Sequence, residues 1–321
     1  MRWPLSVLCI LLCILLSMYA VSAHASDKLR VGRPTPNGFD FAILDVGVAK
    51  GFYKQHDLDI ESVVLEGSAK VTIAITSGSI DISLGTGTDF AFVAKGAPER
   101  GVAAMAGPPL NMAFIVRSAD NIRSVSELKG KKVAVSTVGS LTSWLAQQLS
   151  RHEGWGNDGF ALVASGGGPS MAAALLSGNV DATSSSLEGG LALEEAGKGK
   201  ILLAYGDVIH EFLTHVIFAS NDIAAKNPDA VRRFLKAWFE TVVFMNQHKD
   251  EAIRLSRPVT GLSEATAARV YDIEMPMYFT DGHFDPKAVD VVRKSLVDMN
   301  LMPSDVPDKA LFTEAFLSPG Q

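Results

Sequence analysis

The sequence predicts an α/β protein built from two similar lobes that face each other across a cleft. Residues 174–200 repeat the pattern of residues 74–96: Ser77 and Ser177 lie one hundred residues apart, and each is followed by a glycine and, four positions on, by an aspartate. A repeat of this kind indicates one structural unit that occurs twice. Apolar strand and helix patterns alternate in both halves, and two extended apolar segments flank the second half.

The first lobe is predicted from seven alternating segments. Runs with the two-residue period of a strand and runs with the helical period follow one another, beginning and ending with a strand. Their ranges are 28–33, 40–53, 58–65, 68–78, 80–85, 88–96 and 101–107. Because two parallel strands need a crossover and a helix supplies it, we expect a mainly parallel sheet with helices on both faces.

The second lobe repeats the same order of elements. Its segments are 131–136, 140–152, 160–165, 170–178, 180–185, 188–197 and 200–206. The extended segments 111–117 and 213–220 are predicted to cross between the lobes. The predicted fold is therefore a two-lobed clamshell of two doubly wound lobes joined by two crossover strands.

The chain after the second crossing is predicted to be helical and to cover the first lobe. Residues 227–248 place an apolar stripe on one helical face. The stripe consists of Val231, Phe234, Leu235, Trp238 and Val242. We therefore predict lobe 1 at 26–112 together with 219–321, and lobe 2 at 113–218.

The N-terminus is typical of a secretory signal. Arg2 precedes an apolar run, and Ala23 and Ala25 have the spacing that signal peptidase recognises. We predict cleavage near Ala25 and a periplasmic location; the alternative, a membrane anchor, is disfavoured because the run is shorter than the roughly 20 residues of a spanning helix. Both cysteines precede residue 26, so the mature chain would have no disulfide and no thiolate site.

Composition excludes some classes of partner. The 321 residues are 47% hydrophobic and 20% charged, as in ordinary globular proteins of about two domains. The formal charge is −6, and no run of Lys and Arg could follow a phosphate backbone. We predict no nucleic-acid partner and a monomer.

The strand-to-helix turns of both lobes form the candidate ligand site. In open α/β sheets a ligand binds beyond the carboxyl ends of the strands. Helix starts there expose backbone N–H groups and the positive end of the dipole, which suit a carboxylate or sulfonate. The predicted ligand-binding residues are Asn37, Gly38, Phe39, Thr86, Gly87, Thr88, Ser136, Thr137, Gly139, Ser140, Ser185 and Glu188.

Several of these residues also have an ordinary structural interpretation. Thr88 and Ser140 could cap helices, and Phe39 could be a core residue rather than a ring that stacks on the ligand. Glu188 could hold a cationic or hydrogen-donating group, or be an acid favoured in a first helical turn. Arg33 could meet an anion at the cleft mouth or be a solvated surface charge.

The sequence contains no recognisable catalytic or metal-binding constellation. His210 and His215 are five residues apart, so one helical face cannot present both to zinc, and we expect a loop and the start of a strand. Residues 154–159 match the spacing of a dinucleotide-binding turn but follow a predicted helix rather than a strand. We predict a binding protein that is not an enzyme, with no cofactor and no metal.

Three phrases identify a resemblance that covers nearly the whole mature chain. In order they are "GVAKGFYKQHDLDIESV", "AITSGSIDISLGT" and "SVSELKGKKVAVSTVGS". The chain resembles the solute-binding proteins of ABC importers for aliphatic sulfonates, taurine, nitrate and thiamine-precursor pyrimidines. The resemblance implies a type II periplasmic-binding-protein fold that closes around a small molecule and docks on a membrane permease.

The resemblance also implies where the ligand is bound. The family's contacts fall at Asn37 and Phe39, at 86–88, at 136–140 and near Glu188. Helix starts rich in Ser, Thr and Gly place sulfonate- or carboxylate-like ligands ahead of pyrimidines, an order that an inward-pointing Glu188 would reverse. A eukaryotic branch of similar fold synthesises a pyrimidine and carries a cysteine-rich motif that this mature chain lacks. A sensor subunit that presents the ligand to a membrane receptor is the alternative to import.

Overall fold

The structure is a computed structural model that describes residues 26–65 and 67–317. The predicted signal segment, residues 1–25, lies outside the described residues. The strands are β1 (Asp27–Arg33), β2 (Leu58–Val64), β3 (Ile82–Thr86), β4 (Glu99–Ala106), β5 (Met112–Arg117), β6 (Lys132–Val135), β7 (Ala161–Ala164), β8 (Ala182–Ser186), β9 (Gly199–Ala204) and β10 (His215–Ser220).

Helices follow most of these strands and fill the C-terminal third of the chain. They are α1 (Phe39–Lys50), α2 (Phe52–Gln55), α3 (Ser68–Thr76), α4 (Phe90–Ala94), α5 (Leu141–His152), α6 (Gly168–Leu176), α7 (Leu187–Glu195), α8 (Asn221–Lys226), α9 (Pro228–Gln247), α10 (Lys249–Thr260), α11 (Glu264–Glu274), α12 (Pro286–Asp298) and α13 (Asp308–Leu311). Within the described ranges, none of the helices combines the length and apolar character that crossing a membrane requires.

The strands form two five-stranded sheets of the same design, which confirms the predicted two-lobed fold. Their orders are β2-β1-β3-β10-β4 and β7-β6-β8-β5-β9. In the first sheet β1 pairs parallel with β2 and β3, whereas β10 is antiparallel to both of its neighbours. In the second sheet β6 pairs parallel with β7 and β8, whereas β5 is antiparallel to both of its neighbours. Each lobe therefore receives its antiparallel strand directly after the chain has crossed from the other.

The predicted lobe boundaries need a small correction at both crossings. Met112, predicted in lobe 1, pairs with Ser186 in the second sheet, and residues 215–218, predicted in lobe 2, pair in the first sheet. The physical reason is that each crossing strand hydrogen-bonds along its whole length in the lobe that it enters. The change of lobe lies in the loops before β5 and before β10.

The predicted elements of the two lobes are found with ends shifted by up to three residues, and the helix predicted at 88–96 is two residues shorter at each end. There the chain forms a 3-10 turn, Gly87–Asp89, before the short helix α4. The Asp89 carboxylate accepts a hydrogen bond of 2.8 Å from the backbone N–H of Thr86. This contact tightens the turn and delays the start of the helix.

The C-terminal helices cover the first lobe, as predicted, but they also reach the second. The whole apolar stripe of α9 is buried, and α9 and α10 pack against α1. Helix α11 packs against α7 of the second lobe, where the Glu195 carboxylate accepts hydrogen bonds from the hydroxyls of Thr266, at 2.6 Å, and Ser263, at 3.2 Å. This part of the chain therefore contacts both lobes.

A buried acid in the first sheet makes stability depend on pH. Glu99, the first residue of β4, is 3% exposed, and its Oε2 has no hydrogen-bond partner among the described residues. Burial, aided by the charge of Asp89, raises its pKa from 4.5 to about 8. Between these values the folded protein holds a proton that the unfolded chain has lost, so the free energy of unfolding falls as pH rises.

We expect Glu99→Gln to remove the Glu99 part of this fall, which amounts to at most about 4 kcal/mol between pH 5 and pH 8.5. Urea unfolding at pH 5 and pH 8.5 measures it. The unaltered protein and an exposed control, Glu211→Gln, should lose stability over this range more steeply than Glu99→Gln. Equal losses in all three proteins would show that Glu99 does not carry the proton.

Candidate ligand site between the lobes

One hydrogen bond joins the predicted site turns of the two lobes. The backbone N–H of Phe39, at the start of α1, donates to Oε1 of Glu188, in the first turn of α7, at 2.8 Å. Both residues are buried, and Glu188 is 6% exposed. Glu188 therefore points into the space between the lobes and not into solvent.

A second cluster adjoins this contact and ties the two crossings together. The Nε2 atom of His215, at the start of β10, lies 2.8 Å from an oxygen of Asp40 and 2.9 Å from the Nδ2 atom of Asn111. Its Nδ1 atom lies 3.2 Å from the Gly85 carbonyl oxygen. Burial opposes the charge on this imidazole, but Asp40 and that carbonyl stabilise it, so the pKa of His215 is raised. An Asp40–His215 ion pair thus sits where both crossings meet α1.

The C-terminal helices supply a third wall of the site. The rings of Tyr271 and Tyr278 each lie 6.3 Å from the ring of Phe39. Between them in sequence, Glu274 is fully buried, and its Oε2 accepts a hydrogen bond of 3.3 Å from the Tyr278 hydroxyl. The Phe39 ring therefore lies against two aromatic rings, one from α11 and one from the turn that follows it.

Burial and neighbouring carboxyl groups raise the pKa of two acids in this space, Glu188 and Glu274. Burial, with the charge of Asp40 as the second cause, raises the pKa of Glu188 to about 7, although the Phe39 N–H opposes the shift. Burial and the charges of Glu188 and Asp40 raise the pKa of Glu274 well above its usual range. The site therefore favours protons, cations and hydrogen-bond donors.

The turn at 86–88 uses its polar groups within the protein. The hydroxyls of Thr86 and Thr88 bond each other at 2.8 Å, and the N–H of Gly87 donates to the Thr214 carbonyl at 3.2 Å. All three residues are buried. With the N–H of Thr86 held by Asp89, two of the turn's three N–H groups are already paired.

The corresponding turn of the second lobe is more open. Ser140 caps α5 by accepting from the backbone N–H of Ser143, and its hydroxyl donates to the Thr137 carbonyl at 2.7 Å. The Ser136 hydroxyl donates to Ser140 at 2.9 Å. Thr137 is exposed and Gly139 half-buried. The capping interpretation of Ser140 is therefore correct, and contact with a ligand stays a prediction.

The remaining candidates lie at different depths. Asn37 is exposed, Gly38 is half-buried, and Ser185 is buried in β8 opposite Ala113. Arg33 is not a solvated charge: it is 8% exposed, its guanidinium pairs with the Asp45 carboxylate of α1 at 2.5 Å, and its Nε atom has no partner among the described residues. Of the predicted residues, the structure brings Phe39 and Glu188 into contact across the lobes.

The sequence analysis missed part of the cluster. The unpredicted residues are Asp40, Asn111, His215, Tyr271, Glu274 and Tyr278. Asp40 directly follows the predicted contact Phe39, and His215 was predicted only as the start of a strand, which is confirmed. Nothing in the sequence indicated that α11 would reach this site. Among residues 26–65 and 67–317, no three His, Cys, Asp or Glu side chains come together as a metal site would require.

The chain is similar to proteins named for pyrimidine synthesis. It is 27% identical over 218 residues to a 4-amino-5-hydroxymethyl-2-methylpyrimidine phosphate synthase of Candida albicans, which covers 63% of this chain and 62% of that protein. It is 25% identical over 241 residues to a putative thiamine biosynthesis protein of Haemophilus influenzae, covering 73% and 74% of the two chains. The chain thus spans about three fifths of the length of the Candida relative.

The fold is that of periplasmic binding proteins. The alkanesulfonate-binding protein SsuA of Xanthomonas axonopodis pv. citri, solved with MOPS bound, superposes with a TM-score of 0.75 at 19% identity, covering 89% of this chain and 98% of that one. Residues 38–252 match the family described as NMT1/THI5 like, a range that holds Phe39, Asp40, Asn111, Glu188 and His215. The chain belongs to this NMT1/THI5-like family.

Proposed function

We propose that the protein is the solute-binding component of an ABC importer that captures a small nitrogen heterocycle of the aminopyrimidine class between its lobes. The observation that carries the proposal is the buried Glu188 carboxylate, which is bonded across the cleft to the N–H of Phe39. The fold shared with a sulfonate-binding protein and the family of pyrimidine-related proteins support it. Export to the periplasm and docking on a membrane permease are parts of the same proposal.

The site favours hydrogen-bond donors over the sulfonate- or carboxylate-like ligand expected from the helix starts. A buried carboxylate binds an amino group through a charge-assisted hydrogen bond, whereas it repels an anion strongly where water is excluded. Two N–H groups of the turn at 86–88 already have protein partners. The rings of Phe39, Tyr271 and Tyr278 offer walls for a flat heterocycle.

Capture would work by closure of the lobes. The bond from Phe39 to Glu188 and those from Ser263 and Thr266 to Glu195 join different lobes, so they exist only when the lobes are closed. A ligand that contacts both lobes adds to these bonds and raises the closed population. The permease would then recognise the closed form.

An enzymatic role is the second candidate, because the Candida relative is named a synthase and the buried Asp40–His215 pair could hold and transfer a proton. All cysteines of the chain precede residue 26, so the cysteine-rich motif of the eukaryotic branch is missing. Mass spectrometry of the bound ligand, after long incubation, distinguishes the roles: an unchanged ligand supports binding alone, and a new product supports catalysis.

A thermal-shift screen tests the proposal on residues 26–321, refolded from denaturant to remove any co-purified ligand. Ligand at one hundred times its Kd should add about 2.7 kcal/mol to the free energy of unfolding. This corresponds to a rise in Tm of about 5 °C for a chain of this size. We expect aminopyrimidines to produce it, and MOPS, taurine and nitrate to have no effect. A response to sulfonates alone would overturn the ligand class, and no response to any compound would overturn the importer role.

A further inference from the structure

We infer that the ligand is a cation and that Glu274, on the C-terminal helix α11, sets this charge preference. The inference rests on the proposed function, because it takes the ligand to lie between the lobes. It assigns a recognition role to a part of the chain that belongs to neither of the repeated units.

A buried acceptor in the cluster has no partner among the described residues. It is Oε1 of Glu274, a residue with 0% exposure. A buried acceptor that has lost water and gained no donor destabilises the closed form. A ligand with a hydrogen-bond donor at this position would satisfy it.

The carboxyl groups of the cluster outnumber its basic groups. Asp40, Glu188 and Glu274 supply three carboxyl groups. Of these, only Asp40 is paired with the imidazole of His215. In the described part of the chain, no Lys or Arg has a hydrogen bond or ion pair with any of these carboxyl groups. The nearby Arg33 is committed to Asp45. A ligand with a positive charge is the group that would complete this site.

The aromatic walls suit the same ligand. Phe39 and Tyr271 meet edge to face, with ring planes at 76°, and Tyr278 is tilted at 53° to Phe39. Ring faces attract cations through the quadrupole of the π-system. A heterocycle with an ammonium arm would find ring faces and carboxylates on neighbouring walls.

Binding of a cation should become tighter as pH rises. Glu188 faces Asp40 of α1, Glu274 of α11, the Phe39 N–H and the Ser186 hydroxyl, and without ligand its pKa is about 7. A cation stabilises the ionised Glu188 carboxylate. Below pH 7, binding of a cation therefore releases the proton that Glu188 holds in the absence of ligand. Each released proton gives up to a tenfold gain in affinity per pH unit. An anion would require the proton and would show the opposite slope.

Isothermal titration of the refolded protein with three 4-amino-2-methylpyrimidines tests the inference. They differ only in the substituent on carbon 5. The aminomethyl compound is a cation, the hydroxymethyl compound is neutral, and the phosphate ester of the hydroxymethyl compound is an anion. We expect the cation to bind at least tenfold more tightly than the neutral compound, the anion not to bind, and the affinity of the cation to rise from pH 6.5 to 7.5.

The outcomes separate this inference from the proposed function. Equal or tighter binding of the neutral or anionic compound overturns the cation preference and leaves the importer role standing. Failure of all three compounds to bind overturns both.

Glu274→Gln tests the residue itself, because it keeps the shape and removes the charge. We expect the ratio of cation to neutral affinity to fall at least fivefold, a readout that a purely structural role would leave unchanged. Asp272→Asn is the matched control on the same helix, since that exposed side chain pairs with Lys249, and its ratio should stay as it was. An unchanged ratio in Glu274→Gln overturns the role of Glu274. If that variant fails to fold, the same ratio in Glu188→Gln decides whether buried acids set the preference.

Discussion

Glu188→Gln is expected to bind the ligand at least tenfold more weakly than the unaltered protein while still folding. A hydrogen bond to a charged group contributes about 1.5–3 kcal/mol, and this carboxylate serves both the ligand and the N–H of Phe39 in the closed form. Losing its charge weakens both contacts at once. Because about 1.4 kcal/mol corresponds to a factor of ten, the loss of the charged contact with the ligand alone gives at least tenfold weaker binding.

Titration calorimetry at pH 7.5 measures this loss, with urea unfolding to check the fold. Glu195→Gln is the matched control: it lies on the same helix α7 and also bonds across the lobes, to Ser263 and Thr266. An amide oxygen still accepts from those hydroxyls, so we expect less than a threefold change. Should Glu188→Gln bind like the unaltered protein, the ligand does not contact this carboxylate.

The two repeated lobes were predictable because their physical cause is local. Strand and helix periods, together with the hundred-residue offset between Ser77 and Ser177, identify the segments that form the elements and show that they occur twice. The same local rules left Glu188 ambiguous. An acid in a first helical turn is favoured by the dipole whether it faces solvent or a ligand, and only the closed arrangement of both lobes places it against Phe39.

The third wall of the site was not predictable, because its contacts are long-range. The stripe of α9 predicted a helix that covers the first lobe, and this is confirmed. The position of α11, which brings Tyr271 beside Phe39 and Glu274 near enough to Glu188 for their charges to interact, depends on how three helices pack in succession. His215 illustrates the same limit, since its partners Asp40 and Asn111 are distant in sequence. No spacing rule relates such residues.

Gly87 has a structural role that its sequence context concealed. The sequence favours it as a small residue that admits a ligand to a helix start. In the structure, a Cβ atom at this position would lie 2.1 Å from the backbone oxygen of Leu213, in the loop that leads into β10. The Gly87 N–H also donates to the carbonyl of Thr214. The absence of a side chain thus lets the second crossing pack directly against this turn.

We therefore expect Gly87→Ala to destabilise the protein by about 3 kcal/mol or more, because the obstructing atom belongs to the backbone and cannot rotate away. Thermal unfolding should show a decrease in Tm of about 5–10 °C. Gly167→Ala is the matched control at the start of α6 in the other lobe, where a Cβ atom would meet nothing within 4 Å, and it should unfold like the unaltered protein. The two interpretations of Gly87 predict different results. A residue that only admits ligand would lose binding at an unchanged Tm, whereas a residue packed against the crossing loses stability whether or not ligand is present.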